Sequence, residues 1–168
     1  MPKTLCDDWR KSLAATCLLA ALAALPAARA AGTVDVSFVN AGQFSDAGRG
    51  LVDRERTLKS LADHLRSLGP RLADGQTLRV EVLDVDLAGE IEPVRTDELR
   101  ILRGRADWPR INLRFRLSAG EQSLKSGEQR IADMNYLSVL RGHDLRQIDL
   151  AYEKRMLTKW FDESFVTY

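Results

Sequence analysis

The densest group of acids in the chain is Asp84-x-Asp86, with Glu90 close behind. Two carboxylates at i and i+2 of a strand lie about 6–7 Å apart. That spacing suits acid/base work in glycoside hydrolysis. The same run partly fits a calcium loop: Asp84, Asp86 and Gly89 take the first, third and sixth places, but Ala88 and Arg95 fail at the fifth and twelfth. Acids at a strand end are more commonly solvated or paired with arginine. The arginines are at hand, since Arg100, Arg103, Arg105, Arg110, Arg114 and Arg116 crowd one stretch. Cross-strand pairs such as Arg114 with Glu81 or Asp84 would stabilise an open sheet face, by about 0.2–1 kcal/mol each. The alternative is an anion site, because guanidinium binds carboxylate or phosphate through paired N–H groups.

Trp108 stands in Arg103-Gly104-Arg105-Ala106-Asp107-Trp108-Pro109, where it covers a sheet edge or lines a groove. Asp133-Met134-Asn135-Tyr136 reads as a structured corner, in which Asp133 and Asn135 satisfy turn backbone while Met134 and Tyr136 pack. The two histidines, His64 and His143, stand apart. His64 falls on the polar side of a helix beside Asp63, without a second zinc ligand at i+3 or i+4. The chain shows no nucleophile elbow, His-Glu-x-x-His or phosphate-binding loop. A non-catalytic module is therefore expected, with Asp84, Asp86, Arg103, Arg105, Trp108, Arg114, Asp133, Asn135 and Tyr136 as candidate ligand contacts. A hydrolase using Asp84 and Asp86, and a calcium-binding module, are the alternatives. No catalytic residue, metal ligand or cofactor is assigned.

Hydropathy patterning supplies the framework for these side chains. Residues 34–39 alternate as a strand, and Ser45 or Asp46 is placed to cap the helix after it. Leu51, Leu58, Leu61, Ala62, Leu65 and Leu68 make one face of that helix, which Gly69-Pro70 stops. Leu78, Val80 and Val82 alternate as a second strand. Leu83, Val85 and Leu87 then continue on the opposite parity, so a β-bulge near Val82-Leu83 is needed to keep Asp84 and Asp86 out of the core. Residues 90–96 read as a loop around Pro93, and residues 99–103 as a short strand. Ile111, Leu113, Phe115 and Leu117 form the clearest strand, turned by Ser118-Ala119-Gly120-Glu121 into a return strand over 122–132. A connection through Arg141-Gly142-His143 leads to a closing helix over 150–165, in which Tyr152, Met156, Leu157, Trp160, Phe161 and Phe165 recur at helical spacing. The expected fold is α+β: a two-layer sandwich with a mostly antiparallel sheet of about five strands and two amphipathic helices on one face.

The first thirty residues read as a secretory signal. Lys3, Arg10 and Lys11 precede an apolar run from Ser12 to Leu25, and Ala28-Arg29-Ala30 supplies the small residues that a signal peptidase reads. Cys17 sits inside the apolar run rather than at its end, which argues against lipidation. The run is short for a membrane span, which needs about 20 residues. Cleavage after Ala30 divides 1–30 from a single domain over 31–168 and leaves 138 of the 168 residues. Four of the 25 basic and two of the 24 acidic residues depart, so the remainder carries −1. That charge gives no field to attract nucleic acid. Cys6 and Cys17 depart too, leaving no disulfide and no thiol nucleophile. The expected place is the periplasm. The expected partner is an envelope protein or a small anionic ligand, met through the polar sheet face or the surface near Trp108 and Tyr136.

Four spaced segments carry a family resemblance. They are Asp84-Val85-Asp86-Leu87-Ala88-Gly89-Glu90, Leu102-Arg103-Gly104-Arg105-Ala106-Asp107-Trp108-Pro109-Arg110, Asp133-Met134-Asn135-Tyr136-Leu137 and Tyr152-Glu153-Lys154-Arg155-Met156-Leu157. With Phe38-Val39 and Trp160-Phe161, they resemble the bacterial family called domain of unknown function 3016. The resemblance implies a small exported protein of Gram-negative bacteria and no particular activity.

Overall fold

A computed structural model describes residues 30–94, 97–138 and 149–166. Residues 1–29 with their two cysteines, Arg95, and the Arg141-Gly142-His143 stretch lie outside the described residues. The elements run β1 (Thr33–Phe38), α1 (Gly50–Ser67), β2 (Gln76–Asp86), β3 (Glu90–Val94), β4 (Asp97–Ile101), β5 (Arg110–Ala119), β6 (Gln122–Ala132) and α2 (Ala151–Phe165). The result is the expected α+β sandwich, with six strands rather than about five.

Four strands form the main sheet in the order β1-β2-β5-β6. β1 and β2 run parallel, which requires a crossover, and α1 supplies it. β2 with β5 and β5 with β6 are antiparallel. Val82 pairs with Leu113 and Asp84 with Asn112, so Leu83 is the extra residue of the expected bulge. Val85 and Leu87 thereby return to the buried face, while Asp84 and Asp86 stay on the open one.

β3 and β4 form a separate two-stranded sheet. Residues 90–94 are therefore a strand, not the loop expected over 90–96. Pro93 lacks only a backbone donor, and a strand with a free edge tolerates that loss. β4 also begins two residues earlier than expected. Gly89 makes the turn into this hairpin with φ +82°, and a Cβ there would stand 2.7 Å from both the Ile101 carbonyl oxygen and Leu102 Cδ2.

The helices cover the apolar sheet face. Leu61 and Leu65 of α1 and Met156, Leu157, Trp160 and Phe161 of α2 join Leu78, Val80, Val82, Ile111, Leu113 and Phe115 in one core. Edge-to-face contacts link Phe115 to Trp160 at 5.9 Å and Trp160 to Phe165 at 5.2 Å. The Trp160 indole N–H donates to Gln129 Oε1 at 2.7 Å, satisfying a polar group at the core margin.

Three local expectations change. Arg49, not Ser45 or Asp46, stands at the N-cap of α1, with no side-chain cap. Leu51 is 72% exposed instead of joining the apolar face. Met134 is 66% exposed, whereas Tyr136 of the same corner is fully buried.

Candidate functional site

Asp84 and Asp86 share the open face but close on different partners. Asp84 accepts from the Ser45 backbone N–H at 2.7 Å and from its hydroxyl at 2.8 Å. Asp86 accepts from Arg110 Nε at 2.8 Å and pairs with Arg110 Nη2. Both carboxylates thus pin neighbouring segments rather than converge on one point. Trp108 is half-buried beside them, with the Arg110 guanidinium 5.7 Å from its ring centroid. Asp86, Trp108 and Arg110 line a shallow cavity of about 450 Å³ with Ser45, Glu90 and Ile91.

Arg114 forms the expected ladder. Its Nη1 donates to Glu81 at 3.1 Å and its Nη2 to Glu128 at 3.0 Å. Glu128 first and then Glu81 hold the guanidinium pKa above its usual value. Arg103 pairs with Glu92 of β3. The Arg105 side chain is exposed, and its backbone N–H donates to Asp107 Oδ1 at 2.7 Å. Asp133 pairs with Arg155 of α2 and accepts the Asn135 N–H at 3.1 Å. Arg155 also donates to the Tyr136 carbonyl at 3.0 Å, fastening the corner to the helix.

Asp107 is the organiser that sequence reading passed over. It is buried and accepts from the Arg103 N–H at 2.6 Å, the Arg105 N–H at 2.7 Å and the Tyr136 hydroxyl at 2.9 Å. Burial raises its pKa, but these donors outweigh burial and hold the carboxyl below its usual range. Burial and the Asp107 contact push Tyr136 the other way, to about 12. Asp107 and Tyr136 thereby hold the 102–109 loop in place.

A second concavity lies elsewhere. It is a cavity of about 500 Å³ between the start of α1, the β3–β4 hairpin and the start of α2. Leu87, Ile91, Leu102 and Leu150 supply apolar wall; Arg49, Arg56, Asp53 and Asp149 supply charge; Thr57 and Glu153 supply buried polar groups. Glu153 is 3% exposed and accepts the Ala88 N–H at 2.8 Å through Oε1. Burial raises its pKa, against the opposing pull of the Ala88 donor and the nearby Arg100 charge. Arg100 is itself occupied by the Ala88 and Gly89 carbonyls, at 3.2 and 3.1 Å, and by Asp46. None of the nine residues singled out from sequence lines this cavity.

His64 is half-buried between the helices, not on a free polar face. Its Nε2 lies 2.9 Å from the Lys154 carbonyl oxygen and 2.9 Å from the Thr158 hydroxyl. Burial lowers its pKa below the usual 6.5, with the Lys154 carbonyl opposing and the Lys154 charge assisting. No helix among the described residues is long and apolar enough to cross a membrane.

These features define an α+β domain with a charge-laddered open sheet face and a cavity at the helix starts. The chain belongs to the DUF3016 family of proteins of unknown function, which matches residues 32–163. No curated protein and no solved structure matches it.

Proposed function

We propose that the chain is exported to the periplasm and acts there as a non-catalytic binding module for a small anionic ligand with an apolar body. The observation that carries this reading is Glu153, a carboxyl buried among apolar walls yet lining a cavity of about 500 Å³. Desolvation favours its neutral form, and a neutral carboxylic acid donates an O–H to an acceptor on the ligand. Arg49 and Arg56 at the same cavity supply positive charge for an anionic group. The volume falls within the range of small-molecule sites. Export rests on the amino-terminal pattern and on the family match beginning at residue 32, just past Ala30.

The test is native mass spectrometry of protein recovered from periplasm. The reading expects a chain beginning at Ala31 with a retained small-molecule adduct. It also expects that adduct to disappear in Thr57→Trp, whose indole fills the cavity. A bare chain at all concentrations, or an adduct that survives Thr57→Trp in a folded variant, counts against the cavity. Retention of residues 1–30 counts against export with cleavage.

A further inference from the structure

The open face of the main sheet holds a second arrangement, on the side of the sheet away from the helices. Arg79 of β2 stands directly opposite Arg116 of β5 in the antiparallel register. Both side chains are exposed, and neither has an ion pair or hydrogen bond among the described residues. Like charges directly opposed across two strands repel. The neighbouring acids form no ion pair with either guanidinium. Glu81 and Glu128, one row along, are both taken by Arg114. Asp35 of β1 is in register with Arg79 but makes no ion pair with it. On the far side of Arg116 the row continues with Ser126, a hydroxyl. The two guanidiniums share a depression of about 490 Å³ with Ser126 and the Arg114 ladder.

We propose that Arg79 and Arg116 form a clamp for a phosphate group, a site separate from the cavity at Glu153. Opposed side chains on adjacent antiparallel strands start about 5 Å apart at Cβ, so both guanidiniums reach one tetrahedral oxyanion. Each presents paired N–H donors, and a phosphate has enough oxygens to accept from both planes at once, whereas a carboxylate has only two. Ser126 is the adjacent hydroxyl on the same row. The bound charge also relieves the repulsion between the two arginines. The phosphate comes either from a soluble compound or from a lipid headgroup, and the open setting admits both.

The experiment is an amide and arginine Nε NMR titration of the folded chain with inorganic phosphate at fixed ionic strength, chloride serving as the reference anion. The expected result is a saturable response confined to β2, β5 and β6 around Arg79 and Arg116. Arg79→Gln and Arg116→Gln each weaken it by about tenfold or more, as loss of a charge-assisted paired contact should. Arg105→Gln leaves it unchanged. Arg79→Lys gives a partial loss, because ammonium keeps the charge and loses the paired donors. Co-sedimentation with phosphatidylglycerol vesicles, against phosphatidylcholine vesicles, then separates the sources. Vesicle binding with the same arginine dependence assigns the lipid headgroup, and a phosphate response without it assigns a soluble ligand. A response that does not saturate, or that persists in Arg79→Gln and Arg116→Gln variants of unchanged fold, overturns the proposal.

Discussion

Tyr136 donates its hydroxyl to Oδ2 of Asp107 at 2.9 Å, and both residues are buried. The bond ties the 102–109 loop to the corner after β6, and Arg155 ties that corner to α2. Tyr136→Phe removes one of three donors to a buried carboxylate. We expect a loss of about 1–3 kcal/mol, the range for a hydrogen bond to a charged group. Chemical denaturation with an unchanged m-value checks it.

The same tyrosine gives an alkaline limb to the stability curve. Its folded pKa is raised to about 12 from the usual 10. The folded chain therefore keeps a proton that the unfolded chain loses above pH 10. The contribution is fully present below pH 10 and drains away as pH rises through about 12. Ultraviolet titration of the phenolate, wild type against Tyr136→Phe, reads this directly.

His64 acts at the other end. Its folded pKa lies below the usual 6.5, so below that pH the unfolded chain takes up a proton that the folded chain resists. Stability from this group is present above pH 6.5 and falls as pH drops through the folded value. His64→Gln keeps a donor for the Lys154 carbonyl and cannot titrate. The melting temperature of this variant should fall less between about pH 7 and pH 5 than that of wild type.

Glu153→Gln and Glu153→Ala should diverge. The amide oxygen of Gln still accepts the Ala88 N–H, and the variant has no ionisable group to desolvate. For wild type the raised pKa means that stability declines as pH rises from the usual carboxyl range through the folded value. Glu153→Gln should therefore match or exceed wild type at about pH 8. Glu153→Ala leaves the buried N–H unpaired and should lose about 1–3 kcal/mol. Equal stabilities for the two variants would contradict this assignment.

Gly89→Ala should be among the more damaging single-methyl changes. The new Cβ meets a backbone carbonyl at 2.7 Å in a positive-φ conformation, and a carbonyl cannot step aside as a side-chain tip can. We expect a loss of about 2 kcal/mol or more, in line with strain at such a site. The thermal midpoint of the variant gives the answer.

Much of the fold was legible because its signal is periodic. The parity slip after Val82 required a bulge, and the register places Leu83 there. Alternation on β5 put Arg114 on the open face, where Glu81 meets it. The β3–β4 hairpin escaped notice because Pro93 argues for a loop while a free edge accepts it. Glu153 was missed although its position was a clue. It precedes Met156, Leu157 and Trp160 by three, four and seven residues, so it lies on the buried stripe of α2. A charged residue in that phase signals a buried carboxyl. Asp107 gave no such clue, because its donors are backbone groups of its own loop and a tyrosine 29 positions away.

The β3–β4 hairpin holds to the rest of the molecule by unusual means. Among the described residues it adds nothing to the central core, yet Arg100 joins it to Asp46 and to the Ala88 and Gly89 carbonyls of the turn after β2. Its attachment is an ionic latch rather than a greasy joint. Mobile counter-ions weaken ion pairs, though less where the pair is partly buried as this one is, and leave apolar contacts intact. Salt should thus loosen the hairpin at concentrations that leave the main sheet closed, and hydrogen exchange should reveal it as the first unit to detach. One wall of the Glu153 cavity belongs to this hairpin, so added salt should loosen that wall before it loosens the sheet.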